Sequence, residues 1–218
     1  VEDGATLQAG LGAIPEAILD RLTDHRDLGV HSGAIGDAVA RLTAGGVVTN
    51  ARKTRDRGFT VAGVALGGHL IYEFSHRKPA GQFRTTRYTH DAGVLASIER
   101  FVALNSAIEV DLTGQVNAEQ AAGSYVGAVG GAADFLRGAA RSRGGLPIVA
   151  LPSLAGRRSR IVSQLSGPVS TSRADAGLIV TEHGVADLRG QPLSKRIRRM
   201  IDIAAPQFRA ALEQEANT

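Results

Sequence analysis

The sequence predicts an α/β protein with a mostly parallel sheet flanked by helices, and three observations carry that expectation. Short apolar runs ending in glycine or a polar residue alternate with longer segments of helical period. A strand, glycine loop and helix unit stands at the start of the chain, and the same unit follows directly after it. The 27 glycines cluster in close pairs such as Gly45–Gly46 and Gly130–Gly131, where strands end in tight turns or backbone approaches a ligand.

Ala5 to Gln8 reads as the first strand, running into Gly10-Leu11-Gly12, and Ile14 to Leu22 as a helix with Pro15 in its first turn. Asp27 to His31 is the second strand, with a helix from about Ile35 to Leu42 that stops at Gly45-Gly46. Phe59 to Leu66 is a strand and Leu70 to Tyr72 a helical turn. Val94 to Arg100 is expected to be helical, before the strand Phe101 to Leu104. Ala107 to Leu112 is a β-rich stretch leading to a turn at Thr113-Gly114, and Ala133 to Arg141 is a helix. Ile148 to Leu151 is an apolar strand bounded by prolines, Ile161 to Leu165 precedes a turn at Gly167-Pro168, and Leu178 to Thr181 is another buried strand. Helices over Lys195 to Ala204 and Pro206 to Ala216 close the chain.

At 218 residues, 43% hydrophobic and 21% charged, the chain has the composition of a folded protein, and its length suggests one compact unit. It has no cysteine, which removes disulfides, thiolate metal sites and a cysteine nucleophile and fits a reducing cytoplasm. No apolar run approaches the roughly 20 residues that span a bilayer, and no signal-peptide pattern opens the chain. A cytoplasmic protein, without membrane contact, is expected. Val1 begins inside a strand-to-loop unit, which suggests a fragment of a longer protein. The net charge of +4 arises largely from arginine-rich clusters at 52–57, 157–160 and 195–199, read first as solvated surface. With 4% aromatic residues and no nucleic-acid-binding motif, an oligonucleotide is not an expected partner.

Three places can carry chemistry. The loop Gln8 to Pro15 presents backbone N–H groups at a helix start, suited to a phosphate or an oxyanion, or simply to a turn. The loop Gly127 to Phe135 has the same form, with Asp134 as a candidate cap or first-turn acid. His31 beside Ser32 could act as a base, although a lone histidine is more often structural. Glu182, at the end of a strand, could be catalytic or a structural carboxylate bonded to nearby backbone. The histidines lack ligand spacing, so no metal site is expected.

Five ordered segments together resemble the acetyl-CoA hydrolase/transferase family, which includes 4-hydroxybutyrate and acetate CoA-transferases. They are Asp3 to Pro15, Leu28 to Ser32, Asn105 to Asn117, Gly130 to Ala139 and Thr181 to Gly190, so the resemblance covers almost the whole chain. It implies a CoA-transferase-like fold with residues 1–218 as the C-terminal domain, an N-terminal half of the same protein as partner, and room for a homodimer. Coenzyme A or acyl-CoA would be the substrate, with a small carboxylate as co-substrate and no metal. Gly10, Gly12, Gly130, Gly131, Asp134 and Phe135 would contact CoA, and the N–H groups of Leu11 and Gly130 would hold tetrahedral oxyanions. Where the family has His-Ser-Glu with a nucleophilic glutamate, this sequence reads His31-Ser32-Gly33, so the carboxylate that would take CoA as a thioester is missing. Asp37, about one helical turn further on, replaces it only if the turn is remodelled. The resemblance therefore leaves two readings, an acyl-CoA hydrolase or transferase of altered mechanism, and a non-catalytic acyl-CoA-binding domain.

Overall fold

The structure, a computed structural model, describes residues 1–77 and 81–217. Its elements in chain order begin with β1 (Thr6–Ala9), α1 (Ala13–Leu19), β2 (Gly29–Ile35), α2 (Asp37–Ala44), β3 (Thr60–Ala65), α3 (His69–Arg77) and β4 (Gly81–Phe83). There follow α4 (Thr86–Thr89), α5 (Ala92–Ala96), β5 (Phe101–Ser106), β6 (Glu109–Asp111), β7 (Val116–Asn117), β8 (Gln120–Ala121), β9 (Ser124–Tyr125) and α6 (Ala132–Arg141). The remainder comprises β10 (Leu146–Ala150), β11 (Leu154–Ala155), β12 (Arg158–Ser159), β13 (Ile161–Val162), β14 (Leu178–Thr181), β15 (Gly184–Asp187), α7 (Leu193–Asp202) and α8 (Pro206–Ala216). Where length suggested one compact unit, the chain divides into two: residues 1–105 with 134–147, and 106–133 with 148–218.

In the first unit the strands lie in the order β5-β1-β2-β3-β4 and pair in parallel throughout, with Thr6 opposite both Gly29 and Phe101. Strands joined by helical crossovers and buried on both faces need continuous apolar runs, and Phe101 to Leu104 supplies one, every residue of it buried. Leu7, Ile71, Leu95 and Leu136 fill the core of this unit. In the second unit β10 pairs β14 in parallel and β14 pairs β15 antiparallel, β6 lies between β13 and β7, and β8–β9 and β11–β12 are hairpins. The expectation of an α/β chain with a mostly parallel sheet is met.

The differences from the sequence reading are local. The second strand does not end at His31; β2 runs on to Ile35 because Ala34 and Ile35 pair with Val64 and Ala65 of β3. The helix expected from Ile35 therefore starts at Asp37, and Gly33 lies on a strand, not in a turn. The helix expected over Val94 to Arg100 is shifted back to Ala92–Ala96, because the Asp91 carboxylate accepts from the Val94 N–H at 2.7 Å and fixes its start. The helix from Ile14 stops at Leu19 rather than Leu22. Glu182 and His183 follow the end of β14 as expected, and the difference is that they form a two-residue turn into a further strand, β15. Among the described residues no helix is long and apolar enough to cross a membrane.

Candidate functional site

The loop from β1 to α1 uses part of its donor set internally. The Gly10 N–H donates to the Leu104 carbonyl at 2.8 Å, which pins the loop to β5. Among the described residues the N–H groups of Leu11 and Gly12 donate to no protein acceptor, and the Leu11 side chain is 56% exposed. Gly12 precedes α1 with φ of 123°, a conformation open to glycine alone, and a side chain there would meet nothing within 4 Å. Beneath the loop the buried amides of Gln8 and Asn105 exchange hydrogen bonds at 3.0 and 3.3 Å. This reciprocal pair ties β1 to β5 and was not marked by the sequence. A cavity behind β1 and β2, lined by Leu7, Leu19, Val30, Ser32, Val39 and Leu42, is about 20 Å³. That is room for roughly one water, so the cavity is no acyl-CoA pocket.

On β2, His31 is fully buried, with its Nε2–H donating to the Thr89 carbonyl at 3.3 Å and its Nδ1 unpartnered. Its ring packs edge-on against Phe101 and tilted against Tyr88. Burial, aided by the nearby Lys53 charge, pulls its pKa down to about 4. A base needs a proton partner within reach, and His31 has none; it is a core histidine. Ser32 Oγ donates to the Ala34 carbonyl at 2.7 Å, so neither residue forms a nucleophile and base pair.

Gly33 lies beside two side chains that the sequence reading passed over or placed elsewhere. A Cβ on Gly33 would stand 3.0 Å from Cε1 and 3.1 Å from Nε2 of His90, and 3.3 Å from Cε2 of Phe135. His90 follows α4 directly. Its ring packs on Phe135 with centroids 4.5 Å apart at 51°, and its Nδ1 lies 2.8 Å from Thr89 Oγ1. Phe135 itself is only 3% exposed, so it is a wall residue of this unit rather than an open surface. A side chain at position 33 would require these rings to give by a few tenths of an ångström.

Both acids weighed as substitutes are engaged. Asp37 caps α3, accepting from the Gly68 N–H at 2.8 Å and the Ile71 N–H at 3.0 Å. Glu182 accepts from the Ser153 N–H at 2.8 Å and from Ser153 Oγ at 2.5 Å, bonds that lower its pKa against the opposing effect of burial. It is the structural carboxylate.

The second glycine loop is exposed from Ala122 through Gly130. Gly130 has φ of 56°, and a Cβ there would have open space, its nearest neighbour being the Ala128 carbonyl at 3.9 Å. Gly131 follows it, and Asp134 lies within the first turn of α6, not at its cap. The arginine clusters are mostly solvated, with Arg52, Arg55, Arg57, Arg157, Arg158, Lys195 and Arg198 exposed, and some members also bond locally. Arg55 Nε donates to the Tyr88 hydroxyl at 2.9 Å, Arg196 to the carbonyls of Arg173 and Gln191, and Arg199 to that of Asp187. Lys53 is buried, donating to the Val30 and Phe59 carbonyls, and burial lowers its pKa to about 8. Among the described residues no three His, Asp or Glu side chains gather as a metal site would require.

The family model described as the acetyl-CoA hydrolase/transferase C-terminal domain matches residues 67–216. The chain is 41% identical over 219 residues to the 4-hydroxybutyrate coenzyme A transferase of Clostridium kluyveri, an alignment covering 99% of the chain and 51% of that protein. The crystal structure of RipA from Yersinia pestis superposes with a TM-score of 0.95 at 42% identity, over 100% of this chain and 50% of that one. The crystal structure of a 4-hydroxybutyrate CoA-transferase from Porphyromonas gingivalis gives 0.87 at 38% identity, over 100% and 52%. The chain thus spans about half the length of the relatives it matches.

Proposed function

Since the chain belongs to the acetyl-CoA hydrolase/transferase family, we propose that residues 1–218 form the C-terminal, acyl-CoA-binding domain of such a protein, with Gly33 at the position of the nucleophilic glutamate. An N-terminal half of the family precedes it, a small carboxylate is the natural acceptor or product, and the setting is the cytoplasm. The Leu11 N–H, free of a protein acceptor, serves as an oxyanion donor, and Gly130 has the same role on its own loop. Gly10 and Gly12 on the first loop, and Gly131, Asp134 and Phe135 on the second, are the residues assigned to CoA.

The observation that carries this reading is that Gly33 brings no carboxylate and that both acids weighed as its substitutes are held elsewhere. Gly33 has no side chain, Asp37 is committed to the start of α3, and Glu182 to Ser153. CoA transfer needs a group that holds CoA covalently while one carboxylate leaves and the next arrives. Without it the acyl group passes to water, so hydrolysis of acyl-CoA is the activity this site supports. Oxyanion donors and binding alone can leave about 10³-fold catalysis over solution.

The test is intact-protein mass spectrometry of the full-length protein after incubation with acetyl-CoA. The expected spectrum is that of unmodified protein, with free CoA released and no transfer to added acetate. A CoA-sized adduct, removed by borohydride reduction, would mean that a carboxylate has taken the nucleophile's role and would overturn the assignment. Binding of acetyl-CoA without any release of CoA would instead establish the non-catalytic reading.

A further inference from the structure

We propose that His90 is the general base of this site, activating water against the acyl-CoA thioester in the space beside Gly33. The inference rests on the acyl-CoA reading above and adds to it the group that performs the chemistry.

The placement is the first ground. The edge of the imidazole that carries Nε2 and Cε1 stands 3.0 to 3.1 Å from where the first side-chain carbon of residue 33 would be. The absence of a side chain at Gly33 and the position of the ring go together, since even a Cβ at 33 would require the imidazole to give by a few tenths of an ångström. The second ground is the way the ring is held. Thr89 Oγ1 lies 2.8 Å from Nδ1 and 3.5 Å from the Thr85 carbonyl. A hydroxyl that donates to Thr85 accepts from the Nδ1–H, and that tautomer leaves the lone pair on Nε2, toward Gly33. Phe135, packed on the ring at 4.5 Å, fixes the ring's plane. A base oriented by a hydrogen bond on its far nitrogen is the arrangement general-base catalysis uses. The other histidine of the site, His31, gives its Nε2–H to the Thr89 carbonyl and is sealed in the core, so it does not compete for the role.

The step balances without any further reactant. Nε2 takes a proton from water as the water oxygen bonds to the thioester carbonyl carbon, giving a tetrahedral oxyanion and an imidazolium. Collapse of that intermediate breaks the C–S bond, and the imidazolium returns the proton to the departing CoA sulfur. One water and one acyl-CoA become one carboxylic acid and one CoA thiol.

The experiment follows CoA thiol release and acetyl-CoA binding in the full-length protein, wild type beside His90→Gln and His90→Ala. The glutamine variant is expected to keep its affinity for acetyl-CoA and to lose about a hundredfold or more in kcat, the ordinary worth of a general base. Imidazole added to the alanine variant is expected to restore part of the rate by filling the vacated space, a response that a purely structural role would not give. Should His90→Gln misfold, that rescue of His90→Ala remains the deciding measurement. Release at the wild-type rate in a His90 variant that still binds acetyl-CoA would overturn the proposal while leaving the acyl-CoA reading intact. Binding by wild type with no release at all would overturn it too. Wild type that does not bind acetyl-CoA would bring down the acyl-CoA reading itself.

Discussion

His31 illustrates how a buried titratable side chain sets a pH limit on stability. Its pKa is about 4 in the folded chain against a reference value of 6.5, because burial strips the charged ring of water and the Lys53 charge lies nearby, together outweighing the attraction of Asp56. Between those values the unfolded chain binds the additional proton, so stability falls as pH drops through that window and is complete above pH 6.5. A shift of this size corresponds to an order of 3 kcal/mol at most. His31→Gln, whose amide can still donate to the Thr89 carbonyl, is expected to be less stable than wild type at pH 7 and to close that gap by pH 4.5. Urea unfolding at pH 7, 6, 5 and 4.5 gives the difference between the two proteins; a constant difference would show that folding leaves the pKa of His31 unshifted. The same burial makes His31 unfit as a base at neutral pH, whereas His90, half-buried and unremarkable in sequence, stands beside Gly33.

At the scale of elements, helix α6 and helix α5 meet at a position where two tendencies oppose each other. Gly138 lies inside α6, and replacing a mid-helix glycine with alanine ordinarily gains about 1 kcal/mol. Here an added Cβ would stand 2.4 Å from Leu95 Cβ, well inside contact distance and against a rigid part of α5. Overpacking of that kind costs about 1–3 kcal/mol, so Gly138→Ala is expected to be destabilising, lowering Tm by a few degrees in a chain of this size. Leu95→Gly empties a fully buried site and is costly by itself, but it should cost less in the Gly138→Ala background than in wild type because the clash is gone, a coupling that a double-mutant cycle reads directly. Which elements were legible in the sequence follows the same logic of partners. Strands β1, β5, β10 and β14 and helices α6 and α8 announce themselves through apolar runs, prolines and period. The extension of β2 and the strand β4 were not legible, because each exists only through a strand distant in sequence, and β15 and the two-residue hairpins were not, because strands so short carry no apolar run of their own. Residues 31 to 33 matched a known pattern and could be read, though as a turn. His90 belonged to no pattern; Asp91, the cap of α5, was the only local signal beside it.

Neither of the two compact units is continuous along the chain, since the first takes residues 1–105 and then 134–147. A chain ending at Asn105 would keep the paired residues of β1 to β5 but lack α6, whose Phe135, Leu136 and Ala139 are buried. It is expected to melt without a cooperative transition where the intact chain unfolds sharply, as calorimetry would show; a sharp melt of the short form would mean that α6 is dispensable. The interrupted order also has a consequence for synthesis on the ribosome. When residue 105 leaves the exit tunnel, Leu95 still awaits the helix that covers it, and that helix arrives only after 28 further residues of the other unit have emerged. Those residues must wait in turn, because β6 takes its parallel partner from Ile161–Val162. For the length of that interval the nascent chain displays apolar surface with nothing to close it, which makes translation speed between codons 105 and 162 and the supply of chaperones part of how this protein reaches its fold.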